Sequence, residues 1–182
     1  MNIEMISSAA AQERHDVPAM SSDPVFGATF YGPYEAAVQT ALEMLCAARS
    51  KHEGDVLAIR FRLKSPASIR GKLRKKGLPE TAQAAGMSLR DVAGLRAVLV
   101  SRRAVYRFAH TLMTSGVARL DKVHDYIASP KASGYRSLHL IFSVPVMLDS
   151  QAYLVPVEIQ LRTPVMDAWA CMEHRLIYKP LH

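Results

Sequence analysis

The sequence predicts a mixed α/β (α+β) layer fold, a five-stranded sheet flanked by helices. Three observations carry that expectation. Val56–Lys64 and Val157–Arg162 alternate apolar and polar side chains with period 2, as half-buried strands do. Segments with apolar residues every three or four positions lie before and between the strands and read as amphipathic helices. The runs Arg136–Met147 and Tyr153–Arg162 are separated only by a turn near Asp149-Ser150, so they pair antiparallel.

Taken in order, residues 1–30 are rich in Ser, Ala, Asp and Pro without a period and read as a flexible tail. One domain follows over 31–182. Tyr34–Lys51 is a helix whose stripe is Val38, Ala41, Leu42, Leu45 and Ala48. In the strand Val56–Lys64, Ile59, Phe61 and Leu63 face one side, and Arg60, Arg62 and Lys64 the other. Ser65-Pro66 supplies an N-cap and a first-turn proline, and Gly77 a C′ residue, for a short basic helix over 66–76. Leu78–Met87 reads as a loop with a weak helical turn, and Ser88–Ala93 as a turn entering the strand Leu95–Ser101. Arg102–Ser115 is amphipathic through Val105, Phe108, Ala109 and Leu112. Val117–Ile127 is a strand and Ala128–Gly134 a loop before the last two strands. Thr163 caps the final helix, which has Pro164 at its first position.

Composition narrows the partners. The chain has 182 residues, 49% of them apolar, which suits one domain with a sizeable core. A net charge of +7 favours anionic ligands such as nucleotides or nucleic acid. Cys46 and Cys171 stand in no CxxC or Cys/His ligand spacing and read as reduced thiols of a cytoplasmic protein. No apolar run approaches the roughly 18 residues a membrane span needs, and the N-terminus lacks the pattern of a signal peptide.

Four constellations carry chemistry. Val56–Pro79 holds eight Lys/Arg and no Asp or Glu. Three cations on one strand face repel one another, so an anion belongs opposite Arg60, Arg62 and Lys64; Lys72 follows on the helix. Arg74, Lys75 and Lys76 read more readily as a solvated face. In Ser88–Arg96, Asp91 precedes an apolar strand in which Arg96 must turn away from the core, onto the face shared with Arg62. In Asp125–His139, Lys131 can donate to phosphate, Gly134 permits close backbone approach, Tyr135 can stack on a base, and Arg136 and His139 add donors. The fourth is Val157–Lys179: Glu158, Gln160 and Arg162 line one strand face, ahead of a helix with Trp169, Glu173, His174 and Tyr178. Asp91 and Glu158 on neighbouring strands can coordinate Mg²⁺, while lysines and arginines neutralise a polyphosphate and an aromatic ring holds a base. Those are the parts of phosphoryl or pyrophosphoryl transfer. The P-loop and the kinase glycine loop are absent.

The segments RFRLKSPASIRGKL (60–73), RDVAGLRAV (90–98), DYIASPKASGYRSLH (125–139) and VEIQLRTPVMDAWACMEHRLIYK (157–179) together resemble the synthetase domain of the RelA/SpoT family, with its nucleotidyltransferase-like fold. The resemblance is greatest to the single-domain small alarmone synthetases. It implies transfer of pyrophosphate from ATP to the 3′-hydroxyl of GDP or GTP, giving ppGpp or pppGpp and AMP. Arg62 and Arg96 would then sandwich the adenine, Lys64 and Lys72 would hold the ATP phosphates, and Asp91 and Glu158 would bind Mg²⁺. Tyr135 would stack on guanine, and Lys131, His139 and Gln160 would contact the guanine nucleotide. Asp91 or Glu158 beside the metal would act as general base.

Two positions depart from the family pattern: His124 replaces a common Arg, and Asp167 replaces a frequent Asn near the acceptor nucleotide. Asp167 is the position that would mark an unusual acceptor. The chain ends shortly after Lys179, before the helices with which small synthetases build a tetramer, so oligomerisation is left open. His15-Asp16 and His124-Asp125 are isolated dipeptides and not the metal motif of the family's hydrolase domain. The alternative is a toxic relative that modifies the tRNA 3′ end or an adenine nucleotide, with an antitoxin protein as partner. It is motivated by the basic run at 70–76 and the altered acceptor positions. A non-catalytic binding module would lack a metal carboxylate, and both are present.

Overall fold

The computed structural model describes residues 23–178, with side chains up to Glu173. Residues 1–22 of the expected tail, with His15-Asp16, and the side chains of His174 and Tyr178 lie outside the described residues. The elements run α1 (Ala28–Ser50), β1 (Val56–Leu63), α2 (Pro66–Lys75), α3 (Ala82–Ser88), β2 (Ala93–Leu99), α4 (Arg102–Met113), β3 (Arg119–Asp125), β4 (Leu138–Leu148), β5 (Gln151–Arg162) and α5 (Pro164–Tyr178). The five strands form one sheet in the order β1-β2-β5-β4-β3. Only the β2–β5 pairing is parallel. The mixed sheet and the antiparallel final pair match the sequence expectation.

The first helix corrects it. α1 begins at Ala28 rather than Tyr34 and runs through Pro33. Gly32-Pro33 is a local stop signal, and proline removes one amide donor. Tertiary burial outweighs that loss: Phe26, Tyr31 and Tyr34 are in the core, and Phe30 meets the rings of Phe26 and Tyr31 edge-on at 5.0 and 5.1 Å. Asp23 ends the turn by accepting from the amides of Val25 and Phe26, and it takes both ends of the Arg70 guanidinium at 2.8 and 2.9 Å. Residues 23–30, expected to belong to the tail, are therefore packed against the core.

One face of the sheet is the core. Val155, Val157, Ile159 and Leu161 of β5 and Leu138, Leu140, Phe142, Val144 and Val146 of β4 are buried there. α1 lies across β2, β5 and β4, with its stripe from Tyr31 to Ala48 turned inward, and α4 packs beside it. β4 and β5 meet in a two-residue turn at Asp149 and Ser150, whose φ values of 48° and 63° suit the twist of the hairpin. α2 is capped as expected: Ser65 Oγ accepts from the Ser68 amide, and Gly77, at φ 66°, closes the helix. The amides of Gly77 and Leu78 return to the carbonyls of Arg74 and Leu73. α3 is a helix in its own right, capped by Thr81, where the sequence suggested only a weak turn.

Candidate active site

The second face of the sheet is polar, and strand register explains why. Arg60, Arg96, Gln160, His139 and His124 stand side by side across all five strands. The next row is Arg62, Gly94, Glu158, Ile141 and Lys122. Period-2 alternation along each strand therefore builds a two-row floor opposite the core. A bulge between Leu120 and Lys122 adds Asp121 to this face, where it accepts from Ser143 Oγ at 2.6 Å.

The floor opens into a cavity of about 1050 Å³, flanked by α2, the loop before β4, and α5. Single-ligand pockets run roughly 300–1000 Å³, so this one has room for two adjacent ligands. Among the described residues, nine lysines and arginines but four carboxylates line it, which makes it a receptor for anions.

Asp91 sits just ahead of β2. Its Oδ2 accepts from Lys72 Nζ at 2.7 Å and Lys64 Nζ at 3.2 Å. Burial pushes its carboxyl up, but the two ammonium groups outweigh it, and the net shift is downward. Burial dominates at Lys64 and holds its ammonium below the ordinary lysine value, against the pull of Asp91. Asp91 Oδ1 is buried and has no hydrogen-bond partner.

Glu158 is held at both oxygens. His139 Nδ1 lies 2.9 Å from Oε1, and Gln160 Nε2 donates to Oε2 at 2.6 Å. Burial raises its carboxyl and Asp91 adds to that, yet the hydrogen bonds leave it below its ordinary value, so it is ionised at neutral pH.

Tyr135 is 8% exposed and lines the cavity. Lys131 Nζ stands 4.7 Å from the Tyr126 ring centre and 4.8 Å from that of Tyr135. The loop carrying them turns at Gly134, φ 80°, whose amide donates to the Lys131 carbonyl. Trp169 of α5 backs this turn, 3.5 Å from where a β-carbon at Gly134 would sit.

Arg62, Lys72, Asp91, Arg96, Lys131, Tyr135, His139, Glu158 and Gln160 thus converge on one cavity, as the sequence suggested. Lys64 reaches it through Asp91. Asp167 does not line it. Its carboxylate is 12% exposed and is shared by Arg162 at 3.0 Å, Arg96 at 3.1 Å and Arg60 at 3.5 Å. Asp167 closes a charge cluster with these three arginines on the polar side of the sheet. Arg136 is likewise turned away, donating to the Ile127 carbonyl. Arg162, which the sequence placed on the polar face without a role of its own, is 4% exposed and wired to Tyr135, Gln160 and Asp167. Its place on the face of Glu158 and Gln160 was the signal. Arg90, Asp121 and Tyr126 also line the cavity without having been singled out.

Residues 61–181 match the family model described as a region found in RelA / SpoT proteins. The GTP pyrophosphokinase YwaC of Bacillus subtilis is 42% identical over 118 residues, covering 65% of this chain and 56% of that protein. The GTP pyrophosphokinase YjbM of the same organism is 36% identical over 159 residues, covering 82% of this chain and 72% of that one. The chain thus aligns with little more than half of one relative and under three quarters of the other. Among solved structures, the small alarmone synthetase 1 from Bacillus subtilis bound to its product pppGpp superposes with a TM-score of 0.76 at 34% identity, over 84% of this chain and 79% of that one. With a family model matched over two thirds of its length and a relative 36% identical over most of it, the chain belongs to the RelA/SpoT family.

Proposed function

We propose that the protein is a GTP pyrophosphokinase, which transfers the β,γ-pyrophosphoryl group of ATP to the 3′-hydroxyl of GDP or GTP and releases AMP. One observation carries this reading furthest. Asp91 is half-buried in a cationic cavity, with one oxygen held by two lysines and the other buried without a partner. Such an oxygen suits a hard divalent cation, which takes one or two protein carboxylates and completes its shell with water and phosphate oxygens.

Asp91 and Glu158 would hold Mg²⁺, and the ion would supply charge neutralisation on the polyphosphate. Lys64 and Lys72 bind the donor phosphates, exchanging Asp91 for phosphate oxygen. Arg62 and Arg96 stack on the two faces of the adenine. Tyr135 and Lys131 receive the guanine nucleotide, whose 3′-oxygen is turned toward the donor. The 3′-oxygen forms its bond to the β-phosphorus, and the bond from that phosphorus to the α-phosphate oxygen breaks. AMP leaves with the electron pair. Glu158 or Asp91, both held ionised, accepts the hydroxyl proton. The work is done where the nucleotides are, in the cytoplasm, and no helix among the described residues is long and apolar enough to cross a membrane.

The tRNA or adenine-nucleotide alternative has less support, because the relatives that match are named GTP pyrophosphokinases.

Labelled ATP incubated with GDP, GTP, ATP or deacylated tRNA tests the proposal. Label is expected on the guanine nucleotides, and chelation of divalent ions should stop it. Glu158→Gln should abolish transfer while leaving the fold intact, as circular dichroism would show. No transfer to GDP or GTP in the presence of Mg²⁺ would sink the reading.

A further inference from the structure

The transfer needs Glu158 held still, and Arg162 is built into the site for that purpose. Its Nη2 donates at 2.8 Å to Tyr135 Oη and at 2.8 Å to Gln160 Oε1. Both acceptors lead onward to the same carboxylate. Gln160 Nε2 donates to Glu158 Oε2 at 2.6 Å. Tyr135 Oη meets His139 Nε2 at 2.8 Å, and His139 Nδ1 meets Glu158 Oε1 at 2.9 Å. Arg162, Tyr135, His139, Glu158 and Gln160 close a ring.

The chemistry of the five groups fixes the direction of every bond. A guanidinium only donates, and an ionised carboxylate only accepts. Facing an ionised carboxylate, the neutral imidazole of His139 carries its proton on Nδ1, and its Nε2 accepts the phenol proton of Tyr135, whose oxygen accepts from Arg162. Both arms run from Arg162 to Glu158 without a mismatched pair. On the other side, Arg162 Nη1 is tied to Asp167 at 3.0 Å, and Nε donates to Ser137 Oγ at 3.4 Å.

We infer that Arg162 is a positioning residue for pyrophosphoryl transfer, orienting both oxygens of Glu158 and fixing Tyr135 by closing this ring, with Asp167 as its anchor. The inference rests on the function proposed above. Lysine cannot replace the arginine, because one ammonium does not reproduce the planar fork that reaches Tyr135, Gln160 and Asp167 together.

Arg162→Lys, Tyr135→Phe and the double variant test it, through kcat, KM for each nucleotide and thermal stability. Arg162→Lys should lower kcat on the order of 10- to 100-fold, the cost of a slightly misplaced reacting group. KM for ATP should stay within about twofold, since uniform donor binding is untouched. Tyr135→Phe keeps the aromatic face and cuts the ring, so kcat should fall again. The double variant should be no slower than the worse single, because either cut opens the same ring. Wild-type kcat in Arg162→Lys, or losses that multiply, would overturn the inference. If Arg162→Lys does not fold, Tyr135→Phe decides: an unchanged kcat, with the loss confined to acceptor KM, would overturn it. A readout without turnover separates this from a failure of the proposed function. Imidazole ¹⁵N spectra of the ligand-free protein should assign the Nδ1–H tautomer to His139, with mixed tautomers in both single variants. An Nε2–H tautomer in the wild type would refute the ring whatever the reaction.

Discussion

At the scale of the residue, Asp91 concentrates the electrostatics of the site. Lys64 and Lys72 converge on one of its oxygens. Asp91→Asn should therefore leave two ammonium groups facing each other and cost about 1–3 kcal/mol in the ligand-free protein. The pH dependence follows from the shifts. The folded value of Asp91 is lowered, so its contribution is complete above the ordinary carboxylate value and is lost as pH falls through the folded one. The folded value of Lys64 is also lowered, so its buried ammonium opposes folding at neutral pH, and the cost is relieved as pH rises toward 10.5. The stability gap between wild type and Asp91→Asn should thus be widest near neutrality and close at both extremes. Denaturant midpoints across the pH range measure it. Asp91 could be picked out in the sequence only together with Glu158 and the basic run, since a lone acid before a strand can equally cap a turn. The place of Asp167 was not legible. A carboxylate in a first helical turn looks like a solvated cap until the register sets Arg60, Arg96 and Arg162 around it.

At the scale of the element, the site depends on two short pieces of backbone. α2 brings Lys72 to Asp91, and its start is fixed by Ser65. Ser65→Ala should cost about 1 kcal/mol. For a domain of this size that is a fall in melting temperature of roughly 2–4 °C. The loop before β4 depends on Gly134, where any side chain meets a left-handed backbone at φ 80° with the Trp169 indole against it. Gly134→Ala should cost about 1–2 kcal/mol in backbone strain. It should also raise KM for the guanine nucleotide while leaving KM for ATP unchanged, which steady-state kinetics can separate. Caps, the glycine turn and the polar face of β5 were readable locally, from residue type and period. The early start of α1 and the bulge at Asp121 were not. The first is decided by aromatic rings buried from elsewhere in the chain, and the second by pairing with β4.

At the scale of the whole molecule, the sheet divides labour between its faces. One is sealed by α1 and α4, and the other carries two rows of polar side chains beneath a cationic cavity. Nucleotide affinity should accordingly be dominated by long-range attraction. Raising ionic strength from about 0.05 to about 0.5 M shortens the screening length several-fold. KM for both nucleotides should rise with it, and kcat should change little, because the groups around Glu158 are buried. A salt series of initial rates measures both. The fold class and the convergence of four segments were legible because each segment states its own period and chemistry. The full strand order was not, since it depends on which edges meet after collapse; of it, the sequence suggested only that the strands of Asp91 and Glu158 are neighbours, as β2 and β5 are.

Trp169, the single tryptophan of the chain, lies against the Gly134 turn and is 45% exposed. Its surroundings are half water and half backbone of the loop that holds Lys131 and Tyr135. Any rearrangement of that loop alters the polarity the indole senses. The protein carries its own optical gauge, whose emission colour and quenching by a dissolved collider report the state of one loop without label or turnover.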